Sequence, residues 1–354
     1  MVTANFWAGR SVLLTGHTGF KGAWAGVWLA SLGARVHGLA LAPETEPNLH
    51  DLLSSSHLAS DVIGDIRDPR VVADAIERAA PDIVVHMAAQ ALVRRSYRDP
   101  VTTFDTNVLG TVHLLEALRE TPGVKCVLVV TSDKVYENRD DGHRFTEGDH
   151  LGGADPYSAS KAAAEIITAC YAKSYFAPRV VPVATARAGN VIGGGDWSED
   201  RLLPDVWRAL EASRTVELRH PQSTRPWQHV LEPLSGYLTY IEQLCADPQG
   251  HLPHAINFGP RDERPITVAE IADTLNGALG VKAGWRQAPG EHPPEKATLA
   301  INAGLAHRAL KWRARLSAAE AVQWTADWYK AHKEGSDMRA FTLRQIRDYA
   351  TRKT

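Results

Sequence analysis

The chain has 354 residues, of which 44% are hydrophobic and 23% charged, enough for one large or two modest globular domains. Its net charge of -2 gives no electrostatic reason to expect nucleic acid or an anionic membrane as a partner. No apolar run approaches the ~20 residues that span a bilayer. Three widely spaced cysteines and the lack of a signal-peptide pattern favour free thiols in a cytoplasmic protein.

The first half of the chain alternates short apolar runs with helix-like periods. This alternation predicts a doubly wound α/β fold with a parallel sheet. The predicted strands are Ser11–Thr15, Arg35–Leu41, Asp61–Gly64, Ile83–His86, Lys125–Thr131 and Val180–Arg187. The predicted helices lie near Lys21–Leu32, Pro69–Ala80, Pro100–Glu120 and Pro156–Tyr175.

A glycine-rich turn follows the first predicted strand and opens the first predicted helix. Its glycines have the spacing G-x-x-G-x-x-G, which permits a tight turn and lets the backbone approach a pyrophosphate at a helix N-terminus. The strand–helix context favours a dinucleotide site over a turn without a ligand. The predicted cofactor-binding residues of this turn are Gly16, His17, Thr18, Gly19, Phe20, Lys21 and Gly22. Lys21 either adds positive charge near the phosphates or is solvated.

Two further turns complete the predicted cofactor site. After the third strand, Asp65 can accept from the adenine amino group while Ile66 packs on the ring. After the fourth strand, the small residues Ala88 and Ala89, with Gln90, allow close passage of the cofactor; plain close packing is the alternative. The second strand lacks the acidic residue that usually binds the ribose of NAD, which puts the affinity for NAD in question.

The change in character after Asn190 predicts a domain boundary. Residues 1–190 form the predicted NAD-binding Rossmann domain. In residues 191–354 glycines, tryptophans and prolines become frequent and the alternation breaks down. We therefore expect a smaller mixed α/β substrate-binding region there, with some segments returning to the sheet and a helical tail in the last twenty residues.

A Tyr-x-x-x-Lys pair, Tyr157 and Lys161, lies in the fourth predicted helix. Residues four apart share one face of a helix. An ammonium near the phenol, with the cofactor's positive charge, lowers the pKa of the tyrosine, so Tyr157 can act as a general base on a hydroxyl that is oxidised.

A second acid/base group stands at the end of the fifth strand, where α/β enzymes bind ligands. Ser132 can steer the proton of the reacting hydroxyl to Tyr157, and Asp133 and Lys134 can flank a substrate. Simple alcohol oxidation does not need this pair, so the pattern favours a reaction that only begins with an oxidation. A surface salt-bridging turn is the alternative.

Five stretches, residues 16–22, 88–90, 131–134, 186–197 and 224–230, resemble the extended short-chain dehydrogenase/reductase superfamily. More closely, they resemble the CDP-glucose branch of its nucleotide-sugar 4,6-dehydratases. The resemblance runs from Phe6 to about Lys330. In the branch that acts on dTDP-glucose the acid/base segment reads Thr-Asp-Glu, with Asp as acid and Glu as base. Lys134 in place of that glutamate is typical of the CDP-glucose branch.

The resemblance implies a three-stage reaction with catalytic NAD and the substrate CDP-glucose. Tyr157 takes the C4 hydroxyl proton as hydride leaves C4. Lys134 then removes the C5 proton while Asp133 protonates the departing C6 oxygen, and hydride returns to C6. Lysine can do this only as a neutral amine, which requires partial burial or nearby cations. The net reaction is a dehydration, as used in deoxysugar biosynthesis such as that of O-antigen.

The resemblance also implies substrate-binding roles. Asn190 matches the asparagine that donates to the nucleotide-sugar phosphates, Arg225 the arginine that neutralises the pyrophosphate, and Asn257 a residue near the substrate nucleotide. A surface salt bridge for Arg225 and turn roles for the two asparagines are the alternatives. Asn107 matches an architectural helix asparagine. His292 and Glu295 are weaker candidates for contact with the nucleotide.

Two other functions are alternatives. An NAD-dependent epimerase needs Tyr157 and Lys161 but not Asp133 and Lys134. A non-catalytic dinucleotide-sensing module would tolerate loss of Ser132, Tyr157 or Lys161, and all three are present. The resemblance implies a homodimer, or a dimer of dimers, through the helices that carry Asn107 and Tyr157. It implies no metal. The polar segment 138–155 is expected to form a loop at the mouth of the active site.

Overall fold

A computed structural model describes residues 2–247, 250–262, 264–281, 284–290, 292 and 295–352 of the chain. The strands are β1 (Ser11–Thr15), β2 (Arg35–Ala40), β3 (Ser60–Ile63), β4 (Ile83–His86), β5 (Cys126–Val130), β6 (Arg144–Phe145), β7 (Val183–Ala188), β8 (Val191–Ile192), β9 (Val216–Leu218), β10 (Thr224–Arg225), β11 (Gln228–His229), β12 (Ala255–Phe258), β13 (Ile266–Thr267), β14 (Trp285–Gln287) and β15 (Ala300–Ile301).

The α-helices are α1 (Ala4–Trp7), α2 (Phe20–Ser31), α3 (Leu49–Leu53), α4 (Pro69–Ala79), α5 (Val93–Arg98), α6 (Pro100–Phe104), α7 (Gly110–Leu118), α8 (Pro156–Tyr171), α9 (Leu202–Glu211), α10 (Leu231–Ala246), α11 (Val268–Leu279), α12 (Gly304–Leu310), α13 (Ala318–Lys333) and α14 (Met338–Thr351). Short 3₁₀ turns span Ser55–His57, Asp133–Val135 and Ala177–Arg179, and π-helical segments span Asp105–Leu109 and Ala172–Phe176.

The central sheet has seven parallel strands in the order β12-β7-β5-β4-β1-β2-β3. The predicted doubly wound parallel fold is confirmed. The strand order reverses between β1 and β4, and ligands of such sheets bind at the carboxyl ends of the strands near this switch point. The other short strands form two-stranded sheets that pair β8 with β11, β9 with β14, β10 with β13, and β6 with β15.

Apolar side chains of the central strands feed two cores, one on each face of the sheet. In β1, Val12 and Leu14 join the larger core while Leu13 joins the smaller one, as the two-residue period of a strand requires. Helices α2, α10 and α14 cover the first face, and α4 and α7 cover the second. Both faces are therefore buried, which explains the continuously apolar strands.

Local capping chemistry fixes the helices that matter for the site. Asp155 precedes Pro156, and its side chain accepts from the Ser158 backbone N–H, so α8 begins just before Tyr157. The predicted single helix over 100–120 is instead α6, a π-helical segment and α7. The predicted sixth strand begins at Val183 rather than Val180 because a 3₁₀ turn precedes it.

The second half of the chain returns to the sheet through β12. Its residue Ala255 pairs with Thr185 of β7, so one strand from the region after residue 190 completes the sheet's edge. The predicted helical tail is present as α14. No helix within the described ranges has the length and apolarity needed to cross a membrane.

Candidate active site

A cavity of about 1600 Å³ runs along the carboxyl edge of the central sheet. Sites for one small ligand usually occupy roughly 300–1,000 Å³, so this cavity has room for a dinucleotide and a second ligand. Its walls come from the turns after β1, β3, β4, β5 and β7 and from segments between residues 191 and 299. The acid/base residues lie in this cavity together with the glycine-rich turn.

The glycine-rich turn has the geometry of a phosphate-binding turn. Gly16 has a φ of +78°, and a Cβ there would lie 2.7 Å from the backbone nitrogen of Ala88. A Cβ at Gly22 would lie 2.0 Å from the Gly16 carbonyl oxygen. Gly19 precedes α2 without a capping side chain, so the first N–H groups of α2 are left for a ligand. These features fit the diphosphate of a dinucleotide.

His17 does not line the cavity, although the sequence places it in the glycine-rich turn. Its ring is buried over Gly38, where a Cβ would lie 2.5 Å from ring atoms, and its Nε2 lies 2.7 Å from Asp61 Oδ1. His50 Nε2 lies 3.1 Å from the other oxygen of the same carboxylate. The His17 ring therefore packs behind the glycine-rich turn and does not face the cavity.

The residues predicted to hold the adenine and those predicted after β4 all line the cavity. Asp65 lines the cavity, and its carboxylate accepts from Arg67 Nη2 at 2.6 Å and Nε at 2.9 Å. Ile66 lies beside it, buried against Gly110. Ala88, Ala89 and Gln90 line the wall. The Gln90 backbone N–H donates to Asn107 Oδ1 at 2.8 Å.

Asn107 has the architectural role that was predicted. Its side-chain amide donates to the Gln90 carbonyl at 3.0 Å and to Ser160 Oγ at 2.9 Å. Asn107 thus ties the cofactor wall to α8, which carries both Tyr157 and Lys161.

Tyr157 and Lys161 are both buried at the inner end of the cavity. Ser132 hydrogen-bonds the Tyr157 phenol, and burial raises the pKa of Tyr157 to about 12. Burial likewise lowers the pKa of Lys161 to about 8, and its ammonium donates to the Val130 carbonyl at 3.2 Å. The sequence predicts a lowered tyrosine pKa. The protein alone gives the opposite shift, because desolvation, with the negative charge of Asp133, outweighs the hydrogen bond to Ser132 and the positive charge of Arg201.

Asp133 and Lys134 follow Ser132 in a 3₁₀ turn just after β5. Asp133 is 1% exposed; its Oδ1 accepts from Ser132 Oγ at 3.0 Å and from Lys134 Nζ at 3.2 Å. Its Oδ2 is buried without a hydrogen-bond partner among the described residues. Lys134 Nζ also lies 3.4 Å from Asn190 Oδ1. The acid and the amine therefore stand side by side next to the buried phenol.

Lys21 points to the catalytic end of the cavity, not only to the phosphate turn. Its Nζ lies 5.8 Å from the ring centroid of the buried Tyr237. Burial lowers the pKa of Lys21 to about 7, and the positive charges of Arg201, Lys161 and Lys134 add to this shift. Cationic side chains thus lie around the acid/base turn.

A buried network of polar side chains holds α8 against the acid/base turn. Arg187 donates to Glu165 at 2.7 Å and 2.9 Å and to the Tyr136 hydroxyl at 2.8 Å. Thr131 donates to the same glutamate. Glu165 lies on α8, and Tyr136 follows the acid/base turn. The network therefore fixes the position of α8 relative to that turn.

Asn257 is the last member of this hydrogen-bond network and does not line the cavity. Its Oδ1 accepts from the Tyr136 hydroxyl at 2.7 Å, and its Nδ2 donates to the Phe145 carbonyl at 3.0 Å. The side chain is fully buried. The structure does not support the predicted contact with the substrate nucleotide, because both the oxygen and the nitrogen of the Asn257 amide hydrogen-bond to other protein groups.

Asn190 and Arg225 do line the cavity, as predicted. Arg225 Nη2 lies 3.2 Å from Glu295 Oε2, and its Nη1 donates to the Thr224 carbonyl at 2.8 Å. Glu295 is therefore the counter-ion of Arg225 in the ligand-free protein. His292 lies near His220, with ring centroids 6.0 Å apart. The expected loop over 138–155 reaches the cavity mouth through Asn138 and Asp140.

Several cavity residues carried no recognisable sequence signal. Arg201 donates to Asp196 Oδ2 at 3.0 Å, and the charge of Asp196 raises its pKa further. Arg94 and Arg219 meet at Asp200. Nothing in the local sequence pairs Asp200 with Arg94 of α5.

Comparison with known proteins matches the whole chain to one family. A family model described as GDP-mannose 4,6 dehydratase matches residues 13–325. CDP-glucose 4,6-dehydratase from Salmonella typhimurium strain LT2 is 43% identical over 359 residues, covering 100% of both chains.

Solved structures give the same fold. Epimerase Mth375 from Methanothermobacter thermautotrophicus has a TM-score of 0.80 at 24% identity, covering 95% of this chain and 96% of that one. The dTDP-glucose 4,6-dehydratase from Bacillus anthracis, in complex with NAD, has a TM-score of 0.76 at 25% identity, covering 92% of this chain and 98% of that one.

Proposed function

The chain belongs to the GDP-mannose 4,6 dehydratase family of nucleotide-sugar dehydratases, and we propose that it converts CDP-D-glucose to CDP-4-dehydro-6-deoxy-D-glucose. It is then a hydro-lyase with catalytic NAD. The proposal goes beyond the family in naming the nucleotide, and the 43% identity over the full length of a CDP-glucose 4,6-dehydratase supports that step.

The observation that carries the reaction is the acid/base turn beside the buried phenol. Asp133 and Lys134 stand 3.2 Å apart next to Ser132, which hydrogen-bonds Tyr157. An epimerase moves hydride at one carbon and needs no separate acid and base. The elimination of water needs both, one for each end of the bond that becomes a double bond.

NAD fits the cofactor half of the cavity. The glycine-rich turn and the open N-terminus of α2 would hold its diphosphate, and Asp65 and Ile66 would hold the adenine. When bound near Tyr157 and Lys161, its nicotinamide supplies the reversible hydride acceptor of the reaction.

The protein residues supply the proton transfers. Tyr157, relayed by Ser132, removes the proton from the C4 hydroxyl, which becomes the ketone of the product. Lys134 removes the C5 proton, which the neighbouring C4 ketone makes acidic. Asp133 gives a proton to the C6 oxygen, which leaves as water. Lys134 then returns a proton to C5. Transfer of the proton held by Tyr157 to Asp133, through Ser132 or solvent, restores both residues to their starting states.

A turnover comparison of CDP-, dTDP-, GDP- and UDP-glucose with added NAD tests the proposal. The 4-keto-6-deoxy product is read by its absorbance in base. We expect the highest kcat/KM for CDP-glucose, by at least about tenfold, because a base-reading pocket that leaves polar groups unpaired rejects the wrong base. A higher kcat/KM for another nucleotide sugar would contradict CDP-glucose as the substrate. If all four nucleotide sugars remained unchanged, the proposed reaction itself would be contradicted.

We also propose a cytoplasmic homodimer whose interface is formed by α6, the π-helical segment Asp105–Leu109 and α8. Val101, Phe104, Leu109 and Ile166 on these helices are 40–78% exposed apolar side chains. Three free cysteines suit a reducing compartment. Light scattering of an Ile166→Glu variant checks the dimer: we expect the mass to fall to that of a monomer, and an unchanged dimer mass would contradict this interface.

A further inference from the structure

One carboxylate in the cavity wall is shared by two arginines. Asp200 Oδ1 accepts from Arg94 Nη1 of α5 at 2.6 Å and from Arg219 Nη1, just after β9, at 2.8 Å. Arg219 Nη2 also donates to the Asp200 carbonyl at 3.2 Å. All three residues line the cavity. The junction therefore joins three segments that are distant in sequence.

The charges at this junction do not balance. Neighbouring arginines have carboxylates of their own: Arg201 has Asp196, Arg208 has Asp205, and Arg225 has Glu295. Arg94 and Arg219 share the single carboxylate of Asp200. Two guanidinium groups facing one carboxylate oxygen leave an excess positive charge, and this favours a second anion at the site.

Asp200 has an uncommon backbone conformation and lies at the cavity surface. Its φ is +60°, a left-handed value that residues with a Cβ adopt less readily than glycine. The side chains of Arg94, Arg219 and Asp200 are 35%, 23% and 18% exposed, so the junction is open to the cavity. Nearby, His220 Nε2 is buried without a hydrogen-bond partner among the described residues.

We propose that Asp200 is an exchangeable counter-ion, and that the diphosphate of the nucleotide sugar takes its place on Arg94 and Arg219. This rests on the proposed function. A diphosphate offers several oxygens to planar guanidinium groups, whereas Asp200 offers one oxygen to both. The cofactor's diphosphate has its own turn at Gly16–Gly22, so the junction serves the second ligand of the cavity. Substrate binding then replaces both internal ion pairs of Asp200 and frees the segment that carries it.

Calorimetric titration of the whole protein with CDP, inorganic pyrophosphate and NAD tests the proposal. Asp200→Asn removes the competing charge, so CDP and pyrophosphate should bind about fivefold tighter or more. Arg219→Gln and Arg94→Gln should each weaken both by about tenfold, while NAD affinity stays within about twofold. Arg98→Gln, on the same helix and paired with the exposed Glu199, is the matched control and should change none of them.

The sign of the Asp200→Asn effect separates the possibilities. A structural clamp would predict weaker or unchanged CDP binding in Asp200→Asn, and either result overturns the proposal. A change in NAD affinity instead of CDP affinity would assign the arginines to the cofactor and also overturn it. If Asp200→Asn does not fold, the two arginine variants decide. Pyrophosphate lacks the base and the sugar, so its response stays informative even if the natural nucleotide is not CDP.

Discussion

The cofactor half and the substrate half of the cavity are assembled by different means. The cofactor half is made of consecutive turns, after β1, β3 and β4, that a parallel sheet brings to one edge. The substrate half is made of segments that are distant in sequence, such as the paired strands β6 and β15 or the ion pair of Arg94 and Asp200. The first kind of site follows from local motifs, and the second depends on long-range contacts.

The largest effect is expected where both halves meet, at Tyr157. Tyr157→Phe keeps the ring but removes the proton acceptor, so kcat should fall about 10³-fold or more, with NAD affinity retained. Steady-state turnover and NAD titration measure the two quantities. A loss below about tenfold would show that another group takes the C4 hydroxyl proton.

Lys134→Ala tests the division of labour within the acid/base turn. Loss of the C5 base should reduce product formation about 100-fold or more, because elimination cannot start without proton removal. Oxidation at C4 should remain, seen as transient absorbance of reduced nicotinamide on mixing with substrate. Product formation at the normal rate would remove Lys134 from the mechanism. Loss of the transient absorbance as well would mean that Lys134 acts before the elimination.

Asn257→Ala separates the role implied by resemblance from the role in the structure. A buried amide that accepts from Tyr136 and donates to Phe145 should cost about 1–3 kcal/mol of unfolding free energy when removed. KM for the nucleotide sugar should change little. Urea unfolding and steady-state kinetics measure both. A raised KM with unchanged stability would place Asn257 at the substrate after all.

Lys21→Met leaves the catalytic groups in place and gives the most pH-dependent effect on stability. The folded pKa of about 7 lies below the ordinary 10.5, so the charged form destabilises the fold. This penalty is complete below pH 7 and is relieved as pH rises toward 10.5. The variant's stability advantage in the ligand-free protein should therefore shrink, by up to about 1.4 kcal/mol per pH unit, between pH 7 and 10. Urea unfolding at several pH values measures it; an advantage independent of pH would mean that Lys21 is solvated.

The contrast between the two halves explains what the sequence predicts well. The six predicted strands are confirmed, with boundaries shifted by up to three residues where a turn such as 177–179 intervenes. The catalytic residues Ser132, Asp133, Lys134, Tyr157 and Lys161 converge because strand ends and helix starts position them. Their chemical roles remain predictions, as do the domain boundary at residue 190 and the dimer.

What the sequence predicts poorly depends on three-dimensional packing. His17 belongs to the glycine-rich motif, yet the absence of a side chain at Gly38 lets its ring turn inward to Asp61. Asn257 matches a family motif, yet Tyr136 uses its oxygen. Burial reverses the expected direction of the pKa shift of Tyr157 in the ligand-free protein. None of these outcomes is visible in a linear motif.

The central claim is that oxidation at C4 and reduction at C6 are two ends of one dehydration. CDP-glucose carrying deuterium at C4 tests it directly, by nuclear magnetic resonance of the product formed in ordinary water with unlabelled NAD. The account predicts a 4-keto-6-deoxy sugar with the deuterium at C6. Deuterium retained at C4 of an epimerised sugar, or lost to the solvent, would contradict it.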